Sequence, residues 1–256
     1  MHTIYKYWRI LGTGFSFAVF GLGACVIALL MLLLLYPLPV NKRVKQHITR
    51  RTVWASTWVY IRMMRFLGLL SFEFENIDVL KNGHQLVIAN HPTLLDVVFL
   101  LSVMPNTNCI VKAALFKNPF TVGVLSLAGY IPNSEDGDDL VNRAANIIKE
   151  GQTLIIFPEG TRTLNFGDLK FKRGAANIAL RAQCPIRPVL IDCLPITLRK
   201  NEKWYQVPNS PPHFRIVVTD AMEITHCIDT TQPSSLQSRH LTRHLKDSYT
   251  ERLTSL

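Results

Sequence analysis

The chain has 256 residues, 48% of them hydrophobic and 18% charged, with a formal net charge of +10. This length holds one sizeable domain plus an anchor, and the composition excludes a disordered chain. The basic excess is confined to one end. No acidic residue precedes Glu73, whereas Lys6, Arg9, Lys42, Arg43, Lys45, Arg50, Arg51, Arg62 and Arg65 all do. Beyond that point the charges nearly balance, a footprint that points to anionic membrane lipids as partners and to no nucleic acid. Five cysteines without a CxxC pair suit reduced, mostly buried thiols rather than a disulfide framework.

Ile10 to Asn41 carries no charged side chain, and Phe15 to Tyr36 is almost wholly apolar. About 20 such residues, rising about 1.5 Å each, cross a hydrocarbon core, so the segment predicts a membrane-anchoring helix. Pro37 and Pro39 end it. A signal peptide has a shorter apolar core, roughly 7–15 residues. A lipoprotein-like reading of Leu22 to Cys25 conflicts with the ten apolar residues that follow. The five basic residues from Lys42 to Arg51 outweigh Lys6 and Arg9. By the positive-inside rule the larger part faces the cytoplasm, on an inner (cytoplasmic) membrane.

Val53 to Phe72 is apolar at Trp54, Trp58, Ile61 and Met64 but interrupted by Arg62 and Arg65. Two charges near its centre argue against a second span. The pattern predicts an interfacial helix, and it also fits a helix packed on the domain. Residues 1–71 therefore read as a membrane anchor plus an interfacial basic helix, and residues 72–256 as one catalytic-sized domain.

From Phe72 onward, short apolar runs alternate with helical patterns, as in an α/β domain with a mixed central sheet flanked by helices. Expected strands are Phe72–Ile77, Gln85–Ala89, Asn108–Lys112, Tyr130–Asn133, Thr153–Phe157, Ile186–Asp192 and Phe214–Thr219. Expected helices are Leu94–Met104, Pro119–Leu127, Leu140–Glu150, Gly174–Arg181 and Leu236–Arg252. Asn201 to Pro212, with three prolines, predicts a long surface loop.

The first segment with chemistry is Asn90-His91-Pro92-Thr93-Leu94-Leu95-Asp96, at the end of an expected strand. Strand ends that open into helices are where α/β folds expose reacting groups. An offset of five residues lies off one helical face, so His91 and Asp96 meet only if His91 precedes the helix. A carboxylate bonded to one imidazole nitrogen fixes the tautomer and raises the basicity of the other. Alone, the pair is weak evidence and reads sooner as a capping Asp and an ordinary His.

The second segment is Phe157-Pro158-Glu159-Gly160-Thr161-Arg162-Thr163, again at a strand end. Its carboxylate, hydroxyls and guanidinium can hold a polar acceptor, with Arg162 suited to phosphate oxygens. Lys172 and Arg173 lead into the next helix. His240 and His244 stand four apart, but with no further ligands nearby they read as a solvated helix face, and no metal site is expected.

Together, NHPTLLD and FPEGTRT about 60 residues later resemble the glycerolipid acyltransferase family, of which lysophosphatidate acyltransferases are one type. The resemblance extends over roughly Phe72 to Thr219. It includes VKAALFKNPFTVGVLSLAGYIPNSE, with Lys112, Gly123 and Gly129, and PIRPVLI, from Pro185 to Ile191.

The resemblance implies an acyl thioester donor, carried on acyl carrier protein or coenzyme A, a lipid hydroxyl as acceptor, and no metal or other cofactor. It implies His91 as general base and Asp96 as its orienter. It associates Glu159, Gly160, Thr161 and Arg162 with acceptor binding, alongside Lys112 and Lys172. Backbone N–H groups near the strand end are expected to stabilise the oxyanion.

One position departs from the family pattern: Glu135 stands where an Arg commonly contacts the glycerol phosphate. That departure admits an acceptor other than lysophosphatidate, such as a lyso-aminolipid or a glycolipid intermediate. A hydrolase would need an activated nucleophile, and no G-x-S-x-G elbow occurs. A non-catalytic lipid-binding protein has no use for both segments.

Overall fold

A computed structural model describes residues 2–81, 83, 85–133, 137–163 and 169–254. Helix α1 (His2–Leu35) is followed by α2 (Lys42–Phe66), which begins where the Asn41 side chain accepts from the Val44 N–H. Seven strands follow: β1 (Ser71–Glu75), β2 (Leu86–Ala89), β3 (Thr107–Lys112), β4 (Ile131–Asn133), β5 (Thr153–Ile156), β6 (Ile186–Leu194) and β7 (His213–Val218). Between them lie α3 (Asp96–Val103), α4 (Val122–Ala128), α5 (Gly137–Lys149) and α6 (Gly174–Ala182), and α7 (Ser234–Thr254) comes last.

The strands form one mixed sheet in the order β1-β7-β6-β2-β5-β3-β4. Every neighbouring pair is parallel except β6 with β7. The centre, β2 and β5, is buried on both faces, which explains the unbroken apolar runs LVIA and TLII. Alternate residues go to opposite layers. Val87 and Ala89 face a core shared with α2, α3 and α4, whereas Leu86 and Ile88 face α5, α6 and α7. Because β2 and β5 are parallel neighbours, the loops after Ala89 and Ile156 emerge side by side at one sheet edge.

All seven expected strands are present. Two helical expectations change. The stretch before α4 is not helical at Pro119: a 3-10 turn over Ala113–Lys117 precedes it, and the Asn118 side chain takes the Phe120 N–H. The other is the helix after the anchor, which starts eleven residues earlier than the apolar pattern begins.

Helix α2 buries Val53, Tyr60, Ile61 and Met64 in the domain core and leaves Trp58, Val59 and Phe66 outside. Two of the early basic residues are not free for lipid headgroups. Arg50 is 5% exposed and donates to Asn108 Oδ1 at 2.8 Å, and Arg9 is 2% exposed and donates to the Asn209 carbonyl at 2.8 Å.

Residues Ile4–Leu35 are long and apolar enough to cross a membrane. One side of α1 nevertheless rests on the rest of the chain. A Cβ on Gly12 would meet Leu69, one on Gly14 would meet Trp204, and one on Gly123 of α4 would come within 2.6 Å of Ala28 Cβ. The expected Asn201–Pro212 loop thus covers α1 through Trp204.

Tyr249 of α7 is fully buried and ties the strands that lead to the site. Its hydroxyl donates to the Ile88 carbonyl at 2.6 Å and accepts from the Val189 N–H at 3.2 Å. Replacing it with Phe strands both groups in a dry interior. Tyr249→Phe is expected to lower the unfolding free energy by about 1–3 kcal/mol, read from denaturant titration of the detergent-solubilised protein.

Candidate active site

Ala89 ends β2, and Asn90 extends the pairing with β6 through its side chain. Its Nδ2 donates to the Ile191 carbonyl at 2.7 Å and its Oδ1 accepts from the Ile191 N–H at 2.8 Å. His91 follows in non-helical backbone, and α3 starts only at Asp96. The two side chains meet: His91 Nδ1 lies 2.7 Å from Asp96 Oδ2.

Asp96 is fully buried and also accepts from the Thr93 N–H at 2.7 Å and the Thr93 hydroxyl at 2.6 Å. Three donors converging on an acceptor-only group suit an ionised carboxylate at the start of a helix. Nδ1 then carries the proton and Nε2 keeps its lone pair. The ring stacks on Phe157 at 4.3 Å between centroids, with 18% of the side chain still exposed.

The second loop clamps the first. Thr163 N–H donates to the His91 carbonyl at 2.6 Å, while the His91 N–H reaches Glu159 Oε1 and Thr163 Oγ1, each at 3.2 Å. Thr163 Oγ1 in turn donates to Glu159 Oε1 at 2.6 Å. Glu159 is 7% exposed, so it braces the His91 backbone instead of facing an acceptor.

Burial pushes the Glu159 carboxyl pKa up; the bonds from Thr163 and His91 pull it back only in part. Gly160 adopts φ +65°, open to glycine at no cost, and the Lys172 side chain lies against it. Thr161 and Lys172 are exposed beside it, and Lys112 is exposed at the end of β3 on the same sheet edge.

Arg162 has a contact that the sequence does not show. Its Nη1 donates to the Leu198 and Arg199 carbonyls at 2.8 and 2.9 Å, so it latches the segment after β6. The N–H groups of His91, Thr93 and Leu95 are all taken within the loops, which removes them as oxyanion donors. Glu135 lies outside the described residues. Among the described residues no group of three or more His, Cys, Asp or Glu could hold a metal ion.

Residues 71–192 match the family model described as Acyltransferase. The chain is 34% identical over 149 residues to a 1-acyl-sn-glycerol-3-phosphate acyltransferase of Helicobacter pylori, covering 55% of this chain and 62% of that protein. Over residues 71–192 the chain is thus similar to the acyltransferase family. A human relative, 1-acyl-sn-glycerol-3-phosphate acyltransferase beta, is 29% identical over 156 residues, 57% of this chain and 55% of its own length. The match thus spans less than two thirds of either relative.

The fold is that of the crystal structure of a 1-acyl-sn-glycerophosphate acyltransferase, PlsC, from Thermotoga maritima. The TM-score is 0.68 at 17% identity, over 97% of this chain and 98% of that one.

Sequence reasoning passed over Asn90 and Tyr249 as working residues and read Thr163 only as a hydroxyl for an acceptor. Asn90 and Thr163 stood inside the two motifs, but nothing in their spacing showed that they pair across strands. Tyr249 gave no signal short of the fold.

Glu159 also makes stability depend on pH with a known sign. Its raised folded-state pKa means that, above the ordinary value of 4.5, the folded state holds more protons than the unfolded state. The contribution is whole below that pH and is lost as pH rises through the raised value. The stability of the wild type relative to Glu159→Gln is therefore expected to decline as pH rises from about 4.5, measured by unfolding at several pH values.

Proposed function

We propose that the protein is an O-acyltransferase of phospholipid biosynthesis. It moves a fatty acyl group from acyl carrier protein or coenzyme A to the free hydroxyl of 1-acyl-sn-glycerol 3-phosphate. The observation that carries this reading is the His91–Asp96 bond at 2.7 Å, with the imidazole otherwise turned to an open edge of the sheet. The names of the relatives support the choice of acceptor.

In this reading His91 Nε2 takes the acceptor's proton as its oxygen attacks the thioester carbonyl. The proton passes to the departing thiolate, and Asp96 stabilises the imidazolium in between. Binding would hold the two reactants in attack geometry, which supplies much of the rate. Lys112, Lys172 and the Gly160–Thr161 turn provide positive charge and hydrogen bonds toward the acceptor and donor phosphates. Arg162 shapes the same edge by holding Leu198 and Arg199.

Transfer is direct. Cys193 is the thiol placed to feel Asp96, and burial, reinforced by that charge, pushes its pKa up and keeps it from serving as a nucleophile. The chemistry needs no metal or other cofactor.

Membrane association rests on the apolar outer side of α1. We place the domain on the cytoplasmic side of the inner membrane, on the charge bias around Lys42–Arg51.

Purified protein supplied with labelled acyl thioester should acylate lysophosphatidate. His91→Ala is expected to lower kcat/KM by about 10²–10⁴-fold, and Asp96→Asn by a comparable factor. Full turnover by His91→Ala would end the assignment. For orientation, a cysteine at exposed position Ser235 should react with an impermeant maleimide in inverted membrane vesicles, beyond the background of native thiols, and be protected in spheroplasts.

A further inference from the structure

Beyond Glu73 the basic and acidic residues nearly balance in number, but they are not mixed in space. Residues 172–183, which hold α6 and the two residues before it, together with α7 carry seven basic residues and two acidic ones. Lys172, Arg173, Arg181, Arg239 and Arg243 are all exposed. Among the described residues no carboxylate lies within ion-pair distance of these five, and Arg181 bonds the neutral side chain of Asn142.

Helix stability does not account for the cluster. Lys172 and Arg173 stand at the start of α6, where basic side chains oppose the helix dipole, and no acidic residue offsets them in the first turn. Along α6, Arg173, Asn177 and Arg181 recur at a spacing of four and form one exposed stripe about 12 Å long.

The stripe starts at the reacting edge of the sheet. The Lys172 N–H donates to the Pro158 carbonyl at 2.8 Å, and its side chain lies against Gly160, in the loop that clamps His91. Helix α7 lies alongside, with the Phe171 and Tyr249 rings 5.2 Å apart. Both helices pack on the Leu86 and Ile88 side of β2, whereas α1 rests on α2 and α4 on the other. A membrane that receives α1 therefore leaves this face to the aqueous phase.

What fits such a face is an acidic macromolecule in water. A coenzyme needs only the cations next to the loop. A stripe that continues to Arg181, beside a helix bearing Arg239 and Arg243, suits the broader surface of a protein. No Phe, Tyr or Trp stands exposed on either helix, as stacking of nucleic-acid bases would require.

We propose that the α6–α7 face docks a small acidic acyl carrier protein, which brings its thioester to His91 past Lys172. The inference rests on the acyl-transfer reading for the carrier's cargo, and it selects the carrier protein over free coenzyme A as the source of the donor.

The test offers one acyl chain on two donors, acyl carrier protein and coenzyme A, to the full-length protein in detergent. Binding of fluorescently labelled carrier protein is read separately by anisotropy, so that it does not depend on turnover. Arg173→Glu and Arg181→Glu should each raise KM for the carrier-bound donor about tenfold, with kcat/KM for the coenzyme A donor changed less than about threefold. An unchanged Tm shows that the variants are folded. Arg181→Lys should bind the carrier as the wild type does. Added salt should weaken carrier binding to the wild type more than to Arg181→Glu.

If both charge reversals leave the carrier-bound donor as good a substrate as before, the docking face is refuted. An equal loss with both donors overturns it too, because the cations then act on the pantetheine arm that the donors share. So does a wild type that binds no carrier and takes acyl coenzyme A alone. Absence of transfer from either donor, with carrier binding by the wild type and its loss in Arg181→Glu, would strike the activity and leave the docking face standing.

Discussion

The reacting loop is held by a clamp between two neighbouring strand ends: the His91 carbonyl takes the Thr163 N–H, and the His91 N–H meets the Glu159–Thr163 pair. Without this clamp His91 would hang from four residues of irregular backbone, free to rotate away from Asp96. With it, both polar groups of the His91 main chain are fixed by β5, and Asp96 fixes the ring. The clamp in turn depends on β2 and β5 being adjacent and parallel, so that two loops distant in sequence leave the sheet together. Asn90 and Tyr249 continue the fastening on the other side, to β6. The imidazole is thus positioned from three strands, a restraint that the proposed role of His91 as a base would need.

This view separates the roles within the second motif. Glu159 and Thr163 point inward and serve the first loop; Gly160 and Thr161 point outward, beside Lys172. A buried carboxyl with a raised pKa beside Asp96 also has an electrostatic logic. Burial is the main cause of the raised Glu159 pKa, with the Asp96 charge a smaller contribution in the same direction.

Much of this was legible in the sequence because strand and helix periods differ so clearly. LVIA and TLII announced central strands, and the need for His91 to precede the helix followed from a five-residue offset. The side-chain pairings were less legible. The sequence associates Glu159 with an acceptor and does not show that the neighbouring strand buries it, nor that the chain after β6 returns to take one nitrogen of Arg162. Arg9 and Arg50 looked like headgroup contacts because sequence counts charge and does not see burial. The extent of α2 was missed because its first two turns, Lys42 to Ile48, are polar on most sides, and its helical state comes from the Asn41 cap and from packing further along.

The placement of α1 carries the argument beyond anchoring. A lone membrane helix needs no contact with its domain, yet α1 touches it from Arg9 to Ala28, a length of about 28 Å at the helical rise. Gly12 and Gly14 leave room for the Leu69 and Trp204 side chains, and Gly123 lets α4 come close to Ala28 of α1, the small-residue device that also lets helices pack in lipid. A bilayer that receives the outer side of α1 must therefore lie close against the domain, where Phe120, Trp204 and Tyr205 stand exposed. The bond from Arg9 to the Asn209 carbonyl fastens the start of α1 to the segment before β7. Under the proposed acyl transfer, one helix would both tie the chain to the membrane and bear on the approach of the substrate.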